Sequence, residues 1–167
     1  MRDMTKANLE AAFAGESQAH MKYLIFADQA DKDGFPEVAR LFRATAYAEQ
    51  VHATSHFKVM QKLSSTEDNL QTGIEGETFE VEEMYPAYQA VAELQDEHGA
   101  LRSTTWAREA EKIHAVLYAN AKQAVQSKQD ASGEKVFVCP VCGHTVYGEA
   151  PDNCPICNAK KELFKSF

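Results

Sequence analysis

The sequence predicts an all-α four-helix bundle followed by a small cysteine-bound metal module. Three observations carry this. Residues 5–128 hold long stretches with apolar side chains at helical spacing. Their connections run short, long, short, the order of a four-helix bundle with one crossover. All four cysteines fall in the last 32 residues, as two Cys-x-x-Cys pairs.

The first helix is expected over residues 6–30, with Leu9, Phe13, Glu16, Tyr23 and Ala27 on one face. It ends at "DKDGFPE", where Gly34 and Pro36 break it. The second covers residues 36–63. Its stripe of Val38, Leu41, Phe42 and Thr45 continues into Glu49 and His52. Residues 64–76, "SSTEDNLQTGIEG", read as a polar connection too long for a simple hairpin. The third helix is expected from Glu77, with Glu77, Glu80, Met84, Ala87, Val91 and Leu94 on one face and a kink or late start at Pro86. "DEHGAL" separates it from the fourth, over residues 102–127. The division is therefore residues 1–130 as the helical domain and 135–167 as the cysteine domain, joined by a polar linker.

The helical part repeats itself. "GES" at 15–17 recurs as "GET" at 76–78, "MKY" at 21–23 as "EMY" at 83–85, and "AEQVH" at 48–52 as "AEKIH" at 110–114. The offsets are 61, 62 and 62 residues. Two related hairpins about a pseudo-twofold axis are expected.

The tail has no helical period, and below about 40 residues a domain seldom folds without a staple. "CPVCGH" and "CPICNA" bracket eleven residues, which suits two knuckles on one tetrahedral ion held by Cys139, Cys142, Cys154 and Cys157. The ligands alone leave iron and zinc equally open. Two disulfides would also use four cysteines, but a metal is the more natural reading of this spacing. A thioredoxin-like pair lacks its βαβ surroundings. Phe137, Tyr147, Phe164 and Phe167 are expected around the ion.

A net charge of −8 without a Lys/Arg cluster argues against a nucleic-acid surface and against acidic membranes. "YLIFA" and "AVLYA" are far too short to span a bilayer, and the charged N-terminus has no signal core. A soluble cytoplasmic protein is expected.

Glu and His at i and i+3 lie close enough on a helix to reach one metal. Glu49/His52 and Glu111/His114 are such pairs, although chance alone gives roughly 0.6 of them in a chain of this composition. Each pair lies on an apolar face, and Glu16, Glu77 and Glu80 join them on the other two helices. A single helical His is more often a packed core residue, and Glu77 could serve only a helix start. Five inward carboxylates are different, because each buried ion costs several kcal/mol unless compensated and no set of Lys or Arg shares these faces. Oxygen and imidazole ligands suit iron or manganese. Two divalent ions leave about one negative charge, as do two trivalent ions with one oxide, so a pair of ions could cycle by two electrons at constant charge.

With "GESQAHMKY", "AEQVH", "GETFEVEEMYP", "AEKIH" and "CPVCG…CPIC" in place, the chain resembles the rubrerythrins over essentially all 167 residues. The resemblance implies a ferritin-like di-iron domain fused to a rubredoxin-like Fe(SCys)4 centre. It implies a peroxidase that reduces hydrogen peroxide to water in oxidative-stress defence. Two irons, oxo-bridged when oxidised, would be held by Glu16, Glu49, His52, Glu77, Glu80, Glu111 and His114. One of them would move between His52 and Glu80 as the redox state changes, and Tyr23 and Tyr85 would hydrogen-bond ligand carboxylates. Electrons would come from a rubredoxin or an NAD(P)H-dependent reductase. The family commonly forms homodimers, and the second connection would also permit helix exchange. Asn158 stands where the second knuckle usually has Gly, and Asn tolerates the left-handed backbone required. His144 stands where an aromatic is common. The rival readings are an iron-storage protein, which needs no sulfur-ligated relay, and an interaction protein with structural zinc. His20, His56 and His98 are assigned no role.

Overall fold

The structure is a computed structural model that describes residues 1–167. The chain divides into two compact units, Met1–Ser64 and Ser65–Phe167. Four long helical elements and a small strand-bearing cysteine module are present, as the sequence predicts.

The first unit is a helical hairpin of α1 (Asp3–Lys32) and α2 (Pro36–Val59). Three residues join them. Gly34 takes φ +82°, which a Cβ would resist, and Pro36 opens α2 where a missing N–H costs nothing. Ala39, Ala46 and Ala53 form a buried heptad stripe on α2, with Ala27 and Ala30 buried on α1. Small side chains let the two backbones approach closely, and Phe42 packs over the Ala27–Ala30–Ala39 cluster. The hairpin buries little else, and Ile25, Phe26, Leu41 and Val51 stay exposed.

The second unit starts earlier than its polar sequence implies. Residues 66–76 are helical: α3 spans Thr66–Phe79. Ser65 caps it by accepting the Asp68 N–H at 3.1 Å, and Glu67 and Asp68 favour the positive end of the helix dipole. Gly73 is tolerated because a Cβ there would meet the Tyr118 ring at 3.1 Å. A π-helical turn, Glu80–Met84, follows without a break and leads into α4 (Tyr85–Leu94). Pro86, two residues past the wide turn, cannot donate a helical hydrogen bond and stands in the first turn of α4, where none is needed. The extra residue shifts the phase downstream. Ala92 is buried, whereas Val91 and Leu94, expected on the inner face, are exposed.

Helix α5 (His98–Gln126) returns alongside, again starting earlier than expected, after a tight turn with Asp96 at φ +57°. The module holds β1 (Val136–Val138), β2 (Thr145–Tyr147) and β3 (Lys165–Ser166) in an antiparallel sheet of order β2-β1-β3. Asn158 does sit at φ +63° in the second knuckle. The module lies on α5. Trp106 packs into the cysteine cluster with Ile156, Ala159 and Phe164, and a Cβ on Gly143 would come 3.6 Å from that of Ala110. Phe167, expected against the ion, is exposed, because its backbone pairs with Val136 at the sheet edge.

Candidate metal centre

Each hairpin carries one triad. In the first unit Glu16, Glu49 and His52 bring one ligand atom each within 4.8 Å of the others. His52 Nδ1 lies 2.9 Å from Glu49 and 3.8 Å from Glu16. In the second unit Glu77, Glu111 and His114 do the same. His114 Nδ1 lies 2.5 Å from Glu111 and 4.0 Å from Glu77. The i, i+3 spacing sets Glu and His on one helical face, and the facing helix adds the remaining carboxylate.

Glu80 sits on the π turn next to this second triad. Its carboxyl is held above the usual range by burial and by the Glu111 charge. Burial, with the Glu111 carboxylate second, pushes Glu77 up to about 7. These groups crowd like charges without a cation. None of Glu16, Glu49, Glu77, Glu80 or Glu111 pairs with Lys or Arg, while Arg43, Lys62 and Lys112 pair with other acids. Two carboxylates and one imidazole per triad, uncompensated, are a donor set that fits a hard or borderline divalent ion.

The tyrosines are placed differently from each other. Tyr23 packs against Phe26 and Phe42 on α1 and α2. Tyr85 meets Tyr88 edge-on, and burial followed by the Glu80 charge keeps its hydroxyl protonated well above neutrality. Tyr118, absent from the sequence reading, is raised in the same way by burial and then by Glu77 and Glu111. Only its seven-residue spacing from Glu111 marks it in the sequence. His20 has a structural partner, with Nδ1 2.8 Å from the Ala46 carbonyl.

The four cysteines converge. Cys139 and Cys157 sulfurs are 3.5 Å apart, and Cys142 and Cys154 are 3.4 Å apart. That is far beyond the about 2.05 Å of a disulfide and near the roughly 3.8 Å edge of a tetrahedron with 2.3 Å metal–sulfur bonds. Burial pushes the Cys142 thiol up, which a bound cation would reverse. His144 fills the aromatic position, edge-on to Phe164, with its Nδ1 buried and without a partner.

The two parts of the centre touch. His114 Nε2 lies 3.2 Å from the Gly143 carbonyl and 2.9 Å from the Thr145 hydroxyl, both beside the first knuckle. No sequence spacing announces this contact, which joins positions 29 and 31 residues apart.

Comparison with known proteins agrees with this geometry. The family model described as Rubrerythrin matches residues 7–122, and the one described as rubrerythrin, rubredoxin-like domain matches residues 137–165. Rubrerythrin-2 of Clostridium acetobutylicum is 42% identical, covering 98% of this chain and 97% of its own length. Nigerythrin of Nitratidesulfovibrio vulgaris is 34% identical, covering 98% and 86%. A solved structure described as the fully reduced, all-ferrous state of nigerythrin matches with a TM-score of 0.59 at 34% identity, over 98% of this chain and 86% of that one.

Proposed function

The chain belongs to the rubrerythrin family, and on that premise we propose that it is a cytoplasmic peroxidase that reduces hydrogen peroxide to water at a non-haem di-iron centre. Iron is the family's metal, and the donor sets fit it. The observation that carries the reading is the seat of the cysteine module on α5, the helix that supplies Glu111 and His114. An iron-storage protein has no use for a sulfur-ligated ion beside its carboxylates. In this reading residues 1–130 serve the chemistry and 135–167 the entry of electrons.

When bound, two ferrous ions supply the electron pair that cleaves the O–O bond, and the cysteine-bound iron restores it one electron at a time. Glu16, Glu49 and His52 would hold one ion, and Glu77, Glu111 and His114 another. Glu80, beside the second triad, would with its raised proton affinity deliver protons to the departing oxygen. Tyr85 stays a neutral donor near the Glu80 charge, and Tyr23 is assigned to hydrogen-bond a ligand carboxylate of the first hairpin. The reductant is a rubredoxin or an NAD(P)H-dependent reductase. The exposed Ile25, Phe26, Leu41 and Val51 on the first hairpin support a homodimer.

Stoichiometric peroxide should oxidise the anaerobically reduced, iron-loaded protein. Glu80→Ala should slow turnover while leaving the visible spectrum of the cysteine-bound iron intact, and unchanged turnover would refute the role given to Glu80. Light scattering should show a dimer; a cage-sized particle would favour iron storage.

A further inference from the structure

We propose that Thr145 is a positioning residue for the metal centre, fixing which nitrogen of His114 is left free to bind the ion; this rests on the reading above that Glu77, Glu111 and His114 hold one. His114 turns Nδ1 toward the carboxylates and Nε2 toward the knuckle. A carbonyl oxygen only accepts, so the Gly143 carbonyl requires the hydrogen on Nε2. The Thr145 hydroxyl donates its own hydrogen to that same carbonyl at 2.9 Å. Its oxygen lone pairs are thereby left for Nε2–H, also at 2.9 Å. The three groups close a small ring of hydrogen bonds, and Nδ1 is left toward Glu77 and Glu111, 2.5 Å from the latter; a proton holds that contact in the free chain, and a bound ion would take the proton's place at the Nδ1 lone pair. Only with the hydrogen kept on Nε2 can Nδ1 ligate.

Nothing in the strand itself calls for a hydroxyl here. Thr145 pairs with Val138 in register, where Val would serve a pleated surface equally well. The counterpart imidazole lacks such a backing. His52 has a side chain 55% exposed against 23% for His114; both bind a carboxylate through Nδ1, but His114 alone has its Nε2 held by a carbonyl and a hydroxyl. Trp106 and Ala110 hold the module on α5 independently of the hydroxyl, so its removal should not undock the module.

The test compares the full-length wild type with Thr145→Val, which keeps the shape, and Thr145→Ser, which keeps the hydroxyl. Zinc fills the cysteine site in all three. With zinc added to the carboxylate sites as well, nitrogen-15 NMR at about pH 8 should show a slowly exchanging His114 Nε2–H in wild type and Thr145→Ser, and a rapidly exchanging one in Thr145→Val. Cobalt(II) titration of the carboxylate sites should give about tenfold weaker binding for Thr145→Val and near wild-type binding for Thr145→Ser. Wild-type Nε2–H protection and affinity in Thr145→Val would overturn the proposal, as would an equal loss in Thr145→Ser. A wild type that takes no metal at its carboxylates would overturn the proposed function, and this role with it.

Discussion

Stripping the metal from the carboxylates should make the second hairpin weaken as pH rises. Glu77 in the folded chain holds its proton up to about 7, against an ordinary value of 4.5, because it is buried and faces the Glu111 charge. Between those values the folded state binds more protons than the unfolded one, so stability falls as pH rises through the window and levels off above it. The rise from 4.5 to about 7 corresponds to roughly 3 kcal/mol at its ceiling. Solvent screening at a partly exposed carboxylate reduces the observable part to about 1–2 kcal/mol. Glu80 is shifted in the same direction and adds to the slope. The assay is urea denaturation from about pH 5 to about pH 8. It uses the full chain with zinc at the cysteines and no metal at the carboxylates. Glu77→Gln, which keeps the shape and cannot ionise, serves as the reference, and the wild type should lose stability relative to it as pH rises. A difference that is flat, or that grows in favour of the wild type, would refute the claim that these acids repel one another until a cation arrives.

Three local substitutions test the fold. Ser65→Ala removes the cap of α3 and should cost about 1 kcal/mol in urea denaturation. Gly73→Ala should gain about 1 kcal/mol of helix propensity but lose more to the Tyr118 ring at 3.1 Å, for a net loss in thermal melting. Asn158→Ala, at φ +63°, should weaken the cysteine module by about 1–2 kcal/mol, read as earlier zinc release during denaturation, whereas Asn158→Gly should be neutral or better.

The candidate ligands were legible because their chemistry is local. Glu49/His52 and Glu111/His114 need only a helix to share a face, and the four cysteines need only two turns. The start of α3 was misread because "TEDNLQTGIEG" is polar and contains two glycines. The cap was nevertheless visible as Ser65 followed three residues later by Asp68. The exposure of Val91 and Leu94 escaped because periodicity assumes 3.6 residues per turn throughout, and one wide turn invalidates everything after it. Thr145, Gly143 and Trp106 could not be found at all, and Tyr118 is marked only by its seven-residue spacing from Glu111. The importance of the first three comes from contacts across the fold, and no period in the sequence encodes those.

The wide turn also explains an irregularity in the internal duplication. The matched segments are 61 residues apart before Glu80 and 62 apart from Tyr85 onward, so the second copy carries one surplus residue within the stretch that winds as a π-helix. A bond spanning five residues instead of four absorbs one such insertion without breaking the rod. The fifth acid, Glu80, stands at the start of that surplus. One surplus residue thus sets an extra acid beside one of two otherwise matching hairpins, and deleting one residue between 80 and 84 should bring them back into step at the expense of that acid's aim.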